Sequence, residues 1–392
     1  MMSRALLALA GAAAARSALV SYAADDAARF TFDGRVVRAR GQVAFDLEGT
    51  TLRFTVANAT YIGLNISDNT RGGARLGVYF DSGDGPLRDP NPSGRALPPS
   101  VRVATLVTSP YQALYTLGSG GQIAGLSPLG VRVELLTEWS HIGDAAGAFF
   151  SLAAVVTDGA VLPAPPPRAR RLLVLGDSLS SGPGAGAHVP PSGAPCGDGV
   201  LLNDWSFVWN ALLCRNFSAA CEVVAQSGAT ITNAHYNIPM SLPYALGVMG
   251  EPGFNGTRVP WAAPVDAVFV ELGENDCHAF NCTAPSGRAQ LAGAFVALAH
   301  RLAAAQPAGN QLPIFFTLAN HEAGQSAAML DAVATLTAAG ARAFFLNGTS
   351  PGVDPASGAD IDNGCAGHPS AEQNALAFAR MRPAVAAALG WA

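Results

Sequence analysis

The sequence predicts two folds in series: an all-β sandwich, jelly-roll-like in its strand pattern, then an α/β domain of three layers around a parallel sheet. Three observations carry that prediction. The 392 residues are 49% apolar and 13% charged, enough apolar side chain for one or two substantial cores and too little charge for a disordered chain or a coiled coil. The segment Pro163-Ala164-Pro165-Pro166-Pro167-Arg168-Ala169-Arg170 favours extended backbone, since its prolines lack donors, and reads as a linker over 163–170. Across it the hydrophobic pattern changes from short alternating runs to continuous apolar runs separated by helical segments.

The elements follow in order. Residues 1–23 have the layout of a secretory signal: Met1-Met2-Ser3-Arg4, an alanine- and leucine-rich run to Ala15, and Ser21-Tyr22-Ala23 ahead of Asp25-Asp26, with cleavage expected after Ala23. A short membrane anchor is the alternative, but Arg16 interrupts the run short of the roughly 20 residues a span needs. Residues 25–162 form the sandwich. Its strands include Thr51–Val56, Arg75–Phe80 and Val131–Leu136, and the continuous run Ala148–Val156 reads as a strand buried between two sheets.

Residues 171–392 form the α/β domain. The runs Arg171–Leu175, Glu222–Ala225, Asp266–Val270 and Ile314–Leu318 are almost wholly apolar, as strands covered on both faces must be. Ser286 can cap a helix that carries Leu291, Phe295, Leu298 and Leu302 on one stripe. Ser370-Ala371-Glu372-Gln373 spells a capping box for a last helix, which Pro383 should bend or shorten.

Charge and cysteines bound the function. The formal charge is -5 and no lysine occurs, so no basic field exists to attract nucleic acid. Sequons at Asn58, Asn65, Asn216, Asn255, Asn281 and Asn347 and six cysteines suit an oxidising, secretory route and a secreted, extracellular product. Spacing alone favours the pairs Cys214 with Cys221 and Cys277 with Cys282; Cys196 and Cys365 complete the six. Zinc is the rival reading of Cys277-His278 and Cys282, but paired C-x-x-C and histidine spacing is missing, so no metal and no cofactor is expected.

In open parallel sheets, reactive groups gather beyond the carboxyl ends of the strands. The first strand runs into Gly176-Asp177-Ser178-Leu179-Ser180, where a serine at a helix start would expose its hydroxyl. The second runs into Gln226-Ser227-Gly228, with an accessible backbone N–H. The third runs into Leu272-Gly273-Glu274-Asn275-Asp276, whose asparagine can aim an amide at an oxyanion beside the N–H groups of Ser178 and Gly228. Late in the chain, Cys365-Ala366-Gly367-His368-Pro369-Ser370 sets a histidine just before a helix, from where it can reach back to Ser178 as general base. Each of these also has an ordinary reading as a turn residue. Of the other histidines only His278 stays in reserve, two residues beyond Asp276.

The order Gly-Asp-Ser, Ser-Gly, Gly-x-Asn-Asp, His-Pro-Ser resembles the SGNH (GDSL-type) hydrolase superfamily. A β-rich domain, a proline-rich linker and then Arg170-Arg171-Leu172-Leu173-Val174-Leu175-Gly176-Asp177-Ser178 narrow the resemblance to carbohydrate esterase family 2. The resemblance implies a jelly-roll domain followed by a flavodoxin-like domain, and Ser178 as nucleophile. It implies His368 as base, an oxyanion hole of Ser178, Gly228 and Asn275, and an acetylated polysaccharide or oligosaccharide as substrate, with acetyl groups removed from sugar hydroxyls. The family's usual acid stands three residues before the histidine, where this chain has Cys365. A Ser–His dyad is therefore expected, with Asp177, Asp276, Cys365 and Asp362 as possible supports. Trp261, Asp204, Trp205 and Glu274 are candidates for the cleft wall, Glu274 standing where the family commonly has a small or hydroxyl residue. Two other readings remain: a lipase or thioesterase on other esters, and a catalytically weak carbohydrate-binding relative.

Overall fold

The computed structural model describes residues 18–39, 41–45, 47–68, 74–81, 102–108, 114–119, 123, 127–137, 150–186, 203–232, 264–318, 324–349 and 368–391. Before the linker these residues form two six-stranded sheets with antiparallel pairing. The first contains β1 (Val20–Ala23), β3 (Val37–Ala39), β4 (Gln42–Phe45), β6 (Tyr61–Asp68), β9 (Leu114–Ser119) and β11 (Phe150–Thr157). The second contains β2 (Thr31–Asp33), β5 (Thr51–Ala57), β7 (Arg75–Asp81), β8 (Arg102–Val107), β10 (Leu129–Leu135) and β12 (Ala160–Val161). Alternation builds the core between them: in β5, Leu52, Phe54 and Val56 are buried while Arg53 and Thr55 are only half-buried. They join Phe30, Ile62, Leu64, Val78, Val131, Leu152 and Val155 in one cluster.

Two details add to the sequence reading. The apolar run at 148–156 yields β11, which hydrogen-bonds to β1, β4 and β6 as the hub of one sheet. Val20–Ala23, inside the stretch assigned to a signal, pairs with β11 from Val20↔Thr157 to Ala23↔Ala154, a structural role that the leader pattern does not assign to them.

The proline segment lies pinned along the sandwich. Ala164 N donates to Ala28 O at 2.7 Å, Thr31 Oγ1 to Pro165 O at 2.5 Å and Arg53 Nη2 to Pro166 O at 3.1 Å. Proline has no N–H but keeps its carbonyl, so it serves here as acceptor.

Beyond it, β13 (Arg170–Gly176), β14 (Ala219–Ala225), β15 (Ala267–Glu271), β16 (Ile314–Leu318) and β17 (Ala343–Asn347) make a parallel sheet in the order β14-β13-β15-β16-β17. That is the 2-1-3-4-5 order of doubly wound folds, whose switch point falls between β13 and β15. The described helices are α1 (Ser178–Ser181), α2 (Trp209–Asn216), α3 (Glu274–Ala279), α4 (Pro285–Ala305), α5 (Gln325–Ala338) and α6 (Ala371–Leu389). Successive strand residues feed opposite layers: Leu172, Val174, Phe269 and Phe315 join Trp209 and Phe378, while Leu173, Leu175, Val268 and Phe316 join Phe295 and Leu302. The ring of Phe315 stacks on Phe269 and Phe344, with centroids 4.9 Å away in each case.

The expected stripe on α4 is buried, but the helix starts at Pro285 with Ala284 as N-cap rather than at Ser286. The fixed φ of proline suits a first helical position, which moves the start one residue back. The capping box of Ser370 and Gln373 is complete, and α6 continues past Pro383 to Leu389. Pro383 and Ala379 both face solvent, so water can satisfy the carbonyl that loses its N–H partner.

Candidate active site

The rim at the switch point is built by strand ends. β13 closes on Gly176, where a Cβ would lie 2.3 Å from both Cβ and Oγ of Ser180; only glycine lets the chain turn this tightly into α1. Asp177 caps α1, its Oδ1 accepting from Leu179 N at 3.0 Å, and Ser178 follows as the first helical residue, half-buried at the rim. β15 ends in Glu271-Leu272-Gly273, and Gly273 has φ +107° at the start of α3, a left-handed turn that a side chain would oppose. This turn delivers Asn275: its Nδ2 donates to Asp177 Oδ2 at 3.1 Å and to Ala229 O at 3.2 Å. The turn after β14 is held by Gln226 N to Gly176 O at 3.3 Å and Ala229 N to Gln226 O at 3.0 Å, with Gly228 half-buried between.

The described contacts thus unite Asp177, Asn275 and the 226–229 turn. Asp276 is buried and holds the neighbouring loop, accepting from Ile231 N at 3.0 Å and Thr232 N at 2.9 Å. Cys277 and Cys282, at the foot of α3, stand at disulfide distance with Cα atoms 5.1 Å apart; Cys214 and Cys221, joining α2 to β14, stand 6.0 Å apart.

His368 is half-buried two residues before the cap of α6. A relay of amides connects its element to that of Ser178. Asn374 of α6 donates to Pro369 O at 3.2 Å and accepts from Trp209 N at 3.1 Å; the next residue, Asn210, donates to Ser180 O at 2.9 Å. Asp204 and Trp205, expected at the cleft wall, are buried where the two sheet systems meet. Asp204 bonds Ser206 N at 3.1 Å and lies 3.8 Å from Arg75, while Trp205 N donates to Leu136 O at 3.0 Å. Trp261, Asp362 and Cys365 fall outside the described residues.

Sequence reasoning missed Glu271, Ser180, Asn210 and Asn374. Glu271 was legible in one respect: it is a carboxylate ending an otherwise apolar central strand. It is fully buried and its Oε2 accepts from Ser180 Oγ at 3.1 Å. Carboxyl oxygens of Asp177, Glu271 and Glu274 lie within 4.8 Å of one another. Burial first, then the charge of Glu274, pushes the Asp177 carboxyl well above the usual carboxylate range. Burial and then Asp177 do the same to Glu271. Three such oxygens, two of their carboxyls already engaged by protein donors, fall short of the roughly six to eight ligands a calcium ion takes.

No protein-family model matches the sequence, and no curated protein does. Solved structures do match, over almost the whole chain. A family two carbohydrate esterase from Cellvibrio japonicus is 18% identical, with TM-score 0.72, over 95% of this chain and 99% of its own. A family two carbohydrate esterase from Clostridium thermocellum in complex with cellohexaose is 16% identical, with TM-score 0.73, over 93% and 100%. An acetyl xylan esterase from the rumen bacterium Butyrivibrio proteoclasticus is 14% identical, with TM-score 0.73, over 95% and 99%. At these identities the likeness is one of fold, and the fold shared is that of the family two carbohydrate esterases.

Proposed function

We propose that the chain is a secreted serine esterase that removes acetyl groups from sugar hydroxyls of polysaccharides or oligosaccharides. The observation that carries this reading is the convergence of three strand ends at the switch point: Asp177 and Ser178 at the head of α1, the 226–229 turn, and Asn275, hydrogen-bonded to Asp177 and to Ala229 O. The turns that carry the proposed donors are held by protein hydrogen bonds before any substrate arrives, which supports the preorganisation that acyl transfer needs. The shared fold with family two carbohydrate esterases, one of them bound to cellohexaose, supports a sugar substrate.

In this mechanism Ser178 Oγ attacks the acetyl carbonyl carbon and its proton passes to His368. The oxyanion is received by the N–H groups of Ser178 and Gly228 and by the Asn275 amide, which gives up its longer bond, to Ala229 O. The C–O bond to the sugar breaks as His368 returns the proton to the leaving oxygen. Water, deprotonated by His368, then attacks the acetyl-serine, and acetate leaves with Ser178 restored. In the reacting complex this transfer needs Ser178 Oγ and the His368 ring within hydrogen-bond reach.

Incubation with acetylated xylan, acetylated glucomannan and p-nitrophenyl acetate tests the proposal. Acetate should appear with wild type and fall to background with Ser178→Ala. Equal release by the two proteins overturns it.

A further inference from the structure

Glu271 has no role in the reaction as drawn, yet it is fully buried behind the nucleophile. Its backbone carbonyl accepts from Asp177 N at 3.2 Å, locking the two strand ends together. Its Oε2 accepts from Ser180 Oγ, whereas Oε1 is buried with no hydrogen-bond donor among the described residues. The carboxyl also meets that of Asp177, whose own two oxygens accept from Leu179 N and Asn275 Nδ2. Two carboxylates in a dry site repel; sharing one proton turns the same contact into a hydrogen bond. Asp177 already has its donors and Glu271 lacks one, so the proton belongs on Glu271. Among the described residues, the charged groups that act on the pair are Glu274 and, on Asp177, also Asp276, both from α3 and both acidic.

We propose that Glu271 is a positioning residue kept as a neutral acid, donating its proton to Asp177 so that Asp177 can hold the Asn275 amide and the head of α1 in place. This deepens the esterase reading and rests on it, although the proton itself can be detected without turnover. When the proton leaves, negative charges crowd within 4.8 Å and the hold on Asn275 and Ser178 loosens. Both carboxyls are raised in the folded state, so their stabilising share is complete below the ordinary carboxylate range and is lost as pH rises through the raised values.

Thermal unfolding and acetate release from p-nitrophenyl acetate, each followed against pH, test this on wild type, Glu271→Gln and Glu271→Ala. Glutamine keeps a donor for Asp177 and an acceptor for Ser180 but cannot titrate. The Tm of wild type should therefore fall as pH rises above the carboxylate range, and that of Glu271→Gln should fall less. Glu271→Gln should keep kcat with a flattened alkaline limb, while Glu271→Ala should lose on the order of 10^2-fold in kcat with KM little changed, the cost of misplaced reacting groups. Infrared spectroscopy of wild type at neutral pH should show a protonated buried carboxyl, which settles the matter even if a variant fails to fold. Identical Tm slopes for wild type and Glu271→Gln, no protonated carboxyl in wild type, or stabilisation of wild type by added calcium in place of a proton would each overturn the proposal. If no protein releases acetate while the slopes differ as stated, the esterase reading has failed and the shared proton has not.

Discussion

Asn275 works in two directions at once. Its amide ties Asp177 to the 226–229 turn, and the proposed chemistry borrows one of those N–H groups for the oxyanion. Asn275→Ala should lower kcat by about 10^2- to 10^3-fold, the usual cost of removing one oxyanion donor. It also leaves a buried carboxylate oxygen and a carbonyl without their donor, so a loss of about 1–3 kcal/mol in stability should accompany it. Steady-state kinetics and urea unfolding separate the two effects. Asn275→Asp places another carboxyl against Asp177, where burial already disfavours charge. Its activity should fall earlier than that of wild type as pH rises, which a pH–rate profile checks.

At the scale of elements, the relay through Asn374 and Asn210 links the loop carrying His368 to the helix carrying Ser178. Asn374→Ala removes a buried partner from Trp209 N and Pro369 O and should cost about 1–3 kcal/mol. If the relay sets the base, kcat should fall more than KM changes, and soaking in denaturant well below the unfolding midpoint should not mimic the loss. Here lies the boundary of what the sequence discloses. Continuous apolar runs announced β13, β14, β15 and β16, and the turns after the first three are where the sequence pointed to Ser178, Gly228 and Asn275. Those are local signals, legible because each strand end carries its own chemistry. Asn210 and Asn374 sit inside helices among ordinary core residues, and only the packing of α2 against α6 brings them together. Asp204 and Trp205 show the same limit: an aspartate and a tryptophan near a site loop look alike in sequence whatever they pack against, and the partners found for them include Arg75 and Leu136 of the sandwich.

At the scale of the molecule, the two sheet systems are joined by a buried ion pair between Arg35, just after β2, and Glu222 of β14, whose side chains are 1% and 2% exposed. Breaking one partner strands a charge, so Arg35→Ala should destabilise by about 3–5 kcal/mol. Calorimetry should record the wild type as one cooperative transition and the variant as a lower or divided one. The proline segment adds to this coupling, since its carbonyls are spent on the sandwich instead of on water. The pairing of Val20–Ala23 with β11 bears on maturation. A leader peptidase that trimmed after Ala23 would discard the ribbon covering residues 154–157 and leave a bare sheet margin, the kind of surface on which other chains add themselves. A protease cut upstream of Val20 keeps that margin shielded, so the amino terminus of the proposed secreted product, read by Edman degradation, should begin before Val20, and a shortened form starting at Ala24 should self-associate on gel filtration.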